Sequence, residues 1–589
     1  CSSDLVVLLL IVALVCADFT DHIYQKYEVV PVHVNKVGPY SNPTETYPYY
    51  HLPFCKPENP QHRHETFAEV FEGDRFFASL YDIRFKVPVE FQSVCQLHLR
   101  DAELASLRKS IREAYYFEMT IDDLPVYGFV GSQLVDADSE VSSLLLHTHL
   151  HFLIGTNGDS IVKVKVDTAS RPPVDITHPD SVFIEFSFSA EWYEESEYTL
   201  ENRQDAYLEE ESFFSKVNGA GVSPEVRWIS VINSMVLVFL LTLAVGFILL
   251  RILRTDFVRF EKQQEGDELD DIGWKLVHGD VFRFPMAQTL LSAFLGVGSQ
   301  FLTLLVALLL LGVFGFFHPM ERGSVIVVSL LLFALTCGVA GYVSAFWYKR
   351  MGGTAWIQTA MVTASIFAGP TALVMIALDA IATFYASTAA LPWTSLAYVV
   401  LLYLLISIPL IVVGSIFGRA LTTPFKAPCR VKKVARLIPP APWYRSAWFH
   451  ITVGGFTPFS AIYIELYYLF VALWGREYYA MYEMLALVFV ILVIVTSAIT
   501  VTLTYFQLSA ENYHWWWRSF LSGGATGLFI LLCSFVLFVF SEMSGLLQTA
   551  FFIGYMLVIS YAFFLALGTI GFFSALLFVS KIYTVIKSD

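Results

Sequence analysis

Apolar residues along this chain fall into long uninterrupted runs in the C-terminal three-fifths and into short alternating or helical patterns before them. The long runs are Ile229–Leu250, Ala287–Phe317, Ser324–Trp347, Ala355–Tyr385, Trp393–Phe417, Trp448–Trp474, Ala480–Phe506, Phe520–Phe540 and Thr549–Ser580. Each reaches the ~20 apolar residues that a helix needs to cross about 30 Å of hydrocarbon. A shorter apolar run, Leu5–Val15, is too short to span and ends in Val15-Cys16-Ala17 before Asp18, the pattern of a cleavable signal. No initiator Met or basic leader precedes it, so the chain is expected to begin inside the signal, and cleavage would place the region from Asp18 onward in a secretory lumen.

Between the signal and the first long run the pattern reads as mostly β. Tyr24–Val37 alternates weakly before the breaker Gly38-Pro39, and Phe76–Leu99 is rich in strand formers. Leu144–Ile154 and Ser160–Val166 flank Thr156-Asn157-Gly158-Asp159, where Asn-Gly tolerates the positive φ of a tight hairpin. Phe183–Ser189 is a further strand. Asp101 opens one helix, with Leu104, Leu107, Ile111 and Ala114 at helical spacing. The expected fold is a nine-span α-helical membrane bundle behind an N-terminal β-rich, β-sandwich-like lumenal domain. Its parts are a signal remnant 1–17, a lumenal domain 18–228, a first span 229–250, a cytosolic linker 251–286, an eight-helix membrane domain 287–580 and a cytosolic tail 581–589.

Composition sharpens this picture. Hydrophobic residues make up 56% of the 589 and charged ones 15%, against about 25% charged in soluble proteins. Residues 18–228 hold 35 Asp/Glu and 17 Lys/Arg, a balance of 35 − 17 = 18 negative charges. That repels phosphate and argues against nucleic acid as a partner. With the β-rich domain in the lumen, eighteen of the Lys/Arg beyond residue 228 fall in cytosolic segments. Only Arg322 and Arg476 fall in lumenal loops. That is the positive-inside pattern, and an error of one span would scramble it.

Candidate chemistry is sparse. The lumenal domain keeps two cysteines, Cys55 and Cys95, whose isolation as a pair in an oxidising compartment points to a disulfide. The domain lacks an N-glycosylation sequon, since Asn42-Pro43-Thr44 is blocked by Pro. His147, His149 and His151 would share one face of a strand, a weak pattern for metal and a common one for a polar strand face. No nucleotide-binding, hydrolase or metalloprotease motif stands in a convincing context, so no enzyme activity, cofactor or metal is expected. Asp379 and Glu465 fall inside spans, where a carboxylate costs about 2.5–3.5 kcal/mol unless it faces protein or water. They read as a polar contact, ion or proton site, or as structural hydrogen bonds between helices. Gly369-Pro370, and Gly454-Gly455 with Pro458, are expected to interrupt spans. Trp515-Trp516-Trp517 reads as an interfacial anchor, and the acidic run Glu265–Asp271 as a solvated linker.

Several motifs together carry a family resemblance. They are His278-Gly279-Asp280-Val281-Phe282-Arg283, Gly454-Gly455-Phe456-Thr457-Pro458-Phe459 with Ile464-Glu465-Leu466, and Thr504–Leu508 continuing to Trp515–Phe520. Leu567–Phe573 with Lys581-Ile582-Tyr583, Val34–Pro39, Tyr49–Cys55 and Asp123–Gly131 complete the set. The chain resembles the transmembrane 9 superfamily, the nonaspanins, over essentially its whole mature length. Tyr127 stands where the signature often has Trp. The resemblance implies a Golgi or endosomal membrane protein that sorts and traffics other membrane proteins, including clients with glycine-rich transmembrane helices. It also implies that Lys587 and Asp589, in the terminal Lys587-Ser588-Asp589, form a retention or retrieval signal for the COPI coat. Expected partners are therefore membrane lipids, client transmembrane proteins and COPI. The competing expectation is an ion or small-solute transporter or channel that uses Asp379 or Glu465.

Overall fold

The computed structural model describes residues 22–135, 141–178, 181–203, 224–264, 273–317, 322–423, 425, 427–440, 442–474, 482–541 and 543–585. The signal segment, residues 204–223 before the first span, the acidic run 265–271 and the terminal Lys587 and Asp589 lie outside the described residues.

The N-terminal region is β-rich. A four-stranded sheet orders Ser160–Asp167, His149–Asn157, Ser181–Glu194 and Val89–Arg100. A five-stranded sheet is built on Tyr47–Pro48, Val32–Pro39, Tyr115–Ile121 and Leu124–Phe129, with Phe77–Ala78 added to Val32–Pro39. Alternation along the strands sends Val34, Met119 and Val126 from one sheet, and Phe152, Ile154 and Phe188 from the other, into one shared core. Cys55 and Cys95 form a disulfide with Cα atoms 6.0 Å apart. It ties the loop after Tyr49–His51 to the strand Val89–Arg100.

Helix α1 (Phe67–Glu72) is closed by a Thr66–Glu69 capping box, and α2 (Asp101–Arg112) buries Leu104, Leu107 and Ile111. Ala114 departs from the expected periodicity. It is exposed with φ 49°, a left-handed residue that ends the helix and turns the chain into Tyr115. Asn157-Gly158 does mark a hairpin, but Gly158 and Asp159 form the two-residue turn, while Asn157 pairs with Ser160. His147 also departs from the expected shared face. The run Leu144–Ile154 breaks at His147-Thr148, where the chain passes from a three-stranded sheet into the four-stranded one.

The membrane part consists of α3 (Pro224–Gln264), α4 (Gln288–Val313), α5 (Arg322–Arg350), α6 (Trp356–Phe384), α7 (Trp393–Leu421), α8 (Ala447–Trp474), α9 (Tyr482–Ser509), α10 (Trp515–Phe540) and α11 (Leu546–Val585). Among the described residues, eight helices are long and apolar enough to cross a membrane; α8 is a further 28-residue helix packed on α9 and α10. The chain is a multi-pass membrane protein. Helix α11 lies at the centre, against α10, α4, α9 and α6, and carries the most buried apolar window.

Two expectations about the spans are corrected. Helix α6 runs unbroken through Gly369-Pro370, and α8 through Gly454-Gly455 and Pro458. The departure from α geometry is elsewhere, in a π turn at Tyr403–Ser407 inside α7. It ends two residues before Pro409, whose ring and missing N–H disfavour the regular bonding of the preceding turn. The second correction concerns the tryptophan strip. Helix α10 begins at Trp515 rather than Phe520, and Trp515 and Trp516 are buried rather than anchored at a lipid interface. The segment 273–286 folds across them, and its Val281 carbonyl accepts the Trp515 Nε1–H at 2.9 Å.

Candidate functional site

The motif Val34–Pro39 supplies a buried charge network that fixes the β-rich region on the bundle. Lys36 projects from its strand and donates to Asp74 Oδ1 at 2.5 Å and to the Glu72 carbonyl at 3.3 Å, with Glu118 Oε2 at 3.7 Å. Burial alone would pull its ammonium pKa down. Asp74, Glu118 and Glu72 outweigh that and hold the group above the usual lysine value. Asn35 donates to Asp74 and accepts the Arg75 backbone N–H at 2.8 Å. The turn 72–75 so fixed reaches the membrane helices. Arg75 donates to the Ala390 carbonyl at 2.9 Å, and Glu72 accepts the Gly323 N–H at 3.2 Å. Beside it, Thr46 meets Thr388 through side chain and backbone, Asn42 exchanges bonds with Ser544, and Gln548 accepts from Thr44.

The histidines form a ladder with serines. His149 is buried, with Nδ1 2.9 Å from Ser187 Oγ and Nε2 2.9 Å from Ser189 Oγ. His151 Nδ1 is 2.7 Å from Ser189 Oγ, and its Nε2 is 3.6 Å from Glu191. Register explains the set, since His149 and His151 pair with Ser187 and Ser189 on the neighbouring parallel strand. Serine, histidine and carboxylate meet here, but the His151–Glu191 separation is too long for a hydrogen bond. Ser189 is buried and shared by two imidazoles. The arrangement joins two strands; among the described residues no cluster of three metal-ligating side chains occurs. Burial, then Arg171, then His151 hold the His149 pKa below the usual histidine value. Burial is likewise the first cause at His33 and His147.

The two intramembrane carboxylates are not brought together. Asp379 is half-buried on the last turns of α6, and its Oδ1 accepts the Leu391 N–H at 2.8 Å from the loop beyond that helix. It ties down the loop that receives the β-rich region. Glu465 is 7% exposed within α8.

The signature segment 278–283 is structural glue at the opposite end of the bundle. Asp280 accepts two bonds from Arg283 and the Arg436 backbone N–H. Arg283 also donates to the Lys432 carbonyl, and Lys432 N–H to the Gly279 carbonyl, each at 2.8 Å. Tyr583 reaches the Trp274 carbonyl at 2.6 Å.

Sequence reasoning missed a lateral cleft between the first span and α9. It is an open groove of about 420 Å³. Thr242, Val245, Gly246 and Leu249 line it from α3 at helical spacing, and Ser497, Ala498, Val501 and Thr502 are among its α9 residues. Helix α3 is fastened toward one end, where Asp256 accepts from Tyr505 and Trp274 and where Leu249, Ile252 and Leu253 join the bundle core. Along its middle, Phe239, Leu240, Leu243 and Phe247 are exposed. Small residues recur four apart on both walls, Thr242 with Gly246 and Ala498 with Thr502, the spacing that lets helix backbones approach in lipid. That pattern was readable in the sequence; which two helices it joined was not.

The similarity to known proteins extends over nearly the whole chain. The family model for endomembrane protein 70 matches residues 46–546. Transmembrane 9 superfamily member 4 of Arabidopsis thaliana is 42% identical over 98% of this chain and 96% of its own length. Transmembrane 9 superfamily member 1 of Pongo abelii is 44% identical over 96% of this chain and 94% of its own. Putative phagocytic receptor 1b of Dictyostelium discoideum is 41% identical over 96% of each. No solved structure matches the chain.

Two outcomes are expected from this geometry. Lys36→Met leaves Asp74 and Glu118 buried without their cation and should cost about 3–5 kcal/mol. Hydrogen exchange in the turn 72–75 and the loop 386–391 should rise together; a rise confined to the strand Val32–Pro39 would contradict the docking role. The second outcome is a pH dependence. Because the folded His149 pKa lies below that of the unfolded chain, the unfolded state binds more protons between the two values, and stability rises with pH. The contribution is complete above about pH 6.5 and is lost as pH falls through the folded value. Exchange protection of the strand His149–Asn157, corrected for intrinsic rates, should fall between pH 7.5 and 5.5. His149→Gln should flatten that slope, and an unchanged slope would reject the assignment.

Proposed function

The chain belongs to the endomembrane protein 70 family, the transmembrane 9 superfamily, and from that premise we propose that it is a non-enzymatic sorting factor for other membrane proteins in the Golgi and endosomes. In this reading α8 is the ninth span and the two facing sheets form a lumenal β-sandwich. The C-terminus is cytosolic, as the eighteen-to-two bias of Lys/Arg favours. Client transmembrane helices are contacted by the bundle, and Lys587 and Asp589 meet the COPI coat. The name of the Dictyostelium relative, a putative phagocytic receptor, agrees with a role at membranes rather than with a metabolic one.

The observation that carries the reading is the lateral cleft between α3 and α9. Its walls are apolar apart from a few hydroxyls, and two of these are occupied: Ser497 accepts from Ser574 at 2.9 Å, and Thr502 donates to the Ala498 carbonyl. Apolar side chains leave lipid for such a surface only by packing closely, which small residues permit. A glycine-rich client helix supplies the matching small surface. A transporter would be favoured by broken helices and polar side chains converging at mid-membrane. Here α6 and α8 are unbroken at their prolines, and Asp379 serves a loop amide.

A Cβ added at Gly246 meets nothing within 4 Å, so Gly246→Phe should fill the cleft without disturbing the fold. Surface delivery of a single-span reporter with a glycine-rich helix should then fall severalfold, while ion flux through reconstituted protein stays at background. Normal delivery with a folded variant would remove the cleft from the mechanism. Separately, Lys587→Ala, or extension beyond Asp589, should move the protein to later compartments and abolish coat binding to synthetic tails. Unchanged residence in both would place retention in the spans.

A further inference from the structure

We propose that the segment joining α7 to α8 is a docking surface for anionic lipid headgroups of the bilayer in which the protein sits. Between residues 422 and 449 the sequence carries Lys426, Arg430, Lys432, Lys433, Arg436 and Arg445 and no Asp or Glu. Arg430, Lys432, Lys433 and Arg445 are exposed and make no ion pair among the described residues. Among the described residues, three acidic groups on the elements packed beneath the segment are already engaged. Glu511 takes Arg436 at 3.0 Å, Asp280 takes Arg283, and Asp256 accepts from Tyr505 and Trp274. Among the described residues, unneutralised positive charge therefore remains on this face.

Apolar side chains are interleaved with that charge and point outward. Val434 is 83% exposed, Leu437 91%, Trp443 75% and Trp448 82%. Such exposure is costly in water and natural at a membrane interface, where phosphate and the upper acyl region lie within a side chain's length of each other. The position agrees, because the segment leaves α7 at Leu421 and enters α8 at Ala447, and Trp448 stands in the first turn of α8. The backbone is held in place from behind. Lys432 is bonded through both N–H and carbonyl, Tyr513 donates to the Arg436 carbonyl, and Arg518 donates to the carbonyls of Arg445 and Ser446. The side chains are thus presented from a fixed frame. An acidic peptide would satisfy the cations but leave the two tryptophans and Leu437 in water; a lipid surface satisfies both.

The test uses the full chain purified in neutral detergent and a fluorescent dioctanoyl phosphatidylinositol phosphate as probe. Wild type should bind it with an affinity that falls as salt rises. Arg430→Gln/Lys433→Gln/Arg445→Gln should weaken binding about tenfold or more, since each cation near an anionic headgroup adds its own attraction. The melting temperature in lipid-free detergent should not change. Trp443→Ala/Trp448→Ala should weaken binding of the lipid and leave binding of a poly-glutamate peptide unaltered. Undiminished lipid binding by the triple variant overturns the proposal. So does a lowered melting temperature of that variant without lipid, which would mean that the cations pair within the chain. Displacement of the lipid by poly-glutamate or inorganic phosphate at equal concentration also overturns it, as the surface would then select charge alone.

Discussion

Inside a bilayer an apolar side chain gains nothing by exchanging lipid for another apolar side chain, so the bundle holds together where backbones come close enough for dense packing and local polar contacts. That condition is met around α11. A Cβ at Gly523 of α10 would lie 2.5 Å from the Leu567 carbonyl oxygen of α11, and one at Gly455 of α8 would lie 2.6 Å from Ala525 of α10. Three helices are locked by the absence of side chains at these points. The motifs Gly454–Phe459 and Leu567–Phe573 sit at or beside these contacts. With α8, α10 and α11 fixed, the remaining helices pack outward, and the outermost, α3, is left with a partly uncovered face.

The β-rich region is not an independent head on a flexible neck. Its strand Val32–Pro39 carries Lys36 into a buried site with two carboxylates, an arrangement whose cost is met only if every partner stays in place. The turn 72–75 that supplies Asp74 also supplies Arg75 and Glu72 to the membrane loops. The same backbone therefore belongs to a β-domain core and to an interface with the bundle. Asp379, from the far side, holds the loop 386–391 that receives it. Under the proposed sorting role, a client in contact with both parts would meet a surface of fixed geometry.

Spans, strands and the disulfide were legible because each depends on local pattern. Twenty apolar residues, alternation, and two isolated cysteines need no knowledge of the fold. What failed depended on which face another element covers. The strip Trp515-Trp516-Trp517 has the composition of an interfacial anchor, and the segment 273–286, more than 200 residues earlier, together with Phe572 of α11 turns Trp515 and Trp516 into core. Pro370 and Pro458 have the look of breakers, but in a helix bundle neighbouring helices and local backbone adjustment can re-satisfy the freed groups, and both helices continue past them. His149 and His151 became a ladder through a parallel strand whose serines no short-range pattern announces.

The placement of the cleft reflects connectivity. Helix α3 is separated from α4 by the segment 265–287, and its contacts fall mainly on α9 and the core residues near Asp256. Among the described residues, the bonds of α3 to the bundle gather at Asp256, and small residues lie on the stretch that lines the cleft. Helix α11, by contrast, is surrounded by its neighbours. If a second helix is to be admitted laterally, the first span is where the least packing must be given up, and its partner wall on α9 repeats the same small-residue spacing. Under the proposed sorting role, recognition would fall on one seam of the bundle and leave the central packing undisturbed.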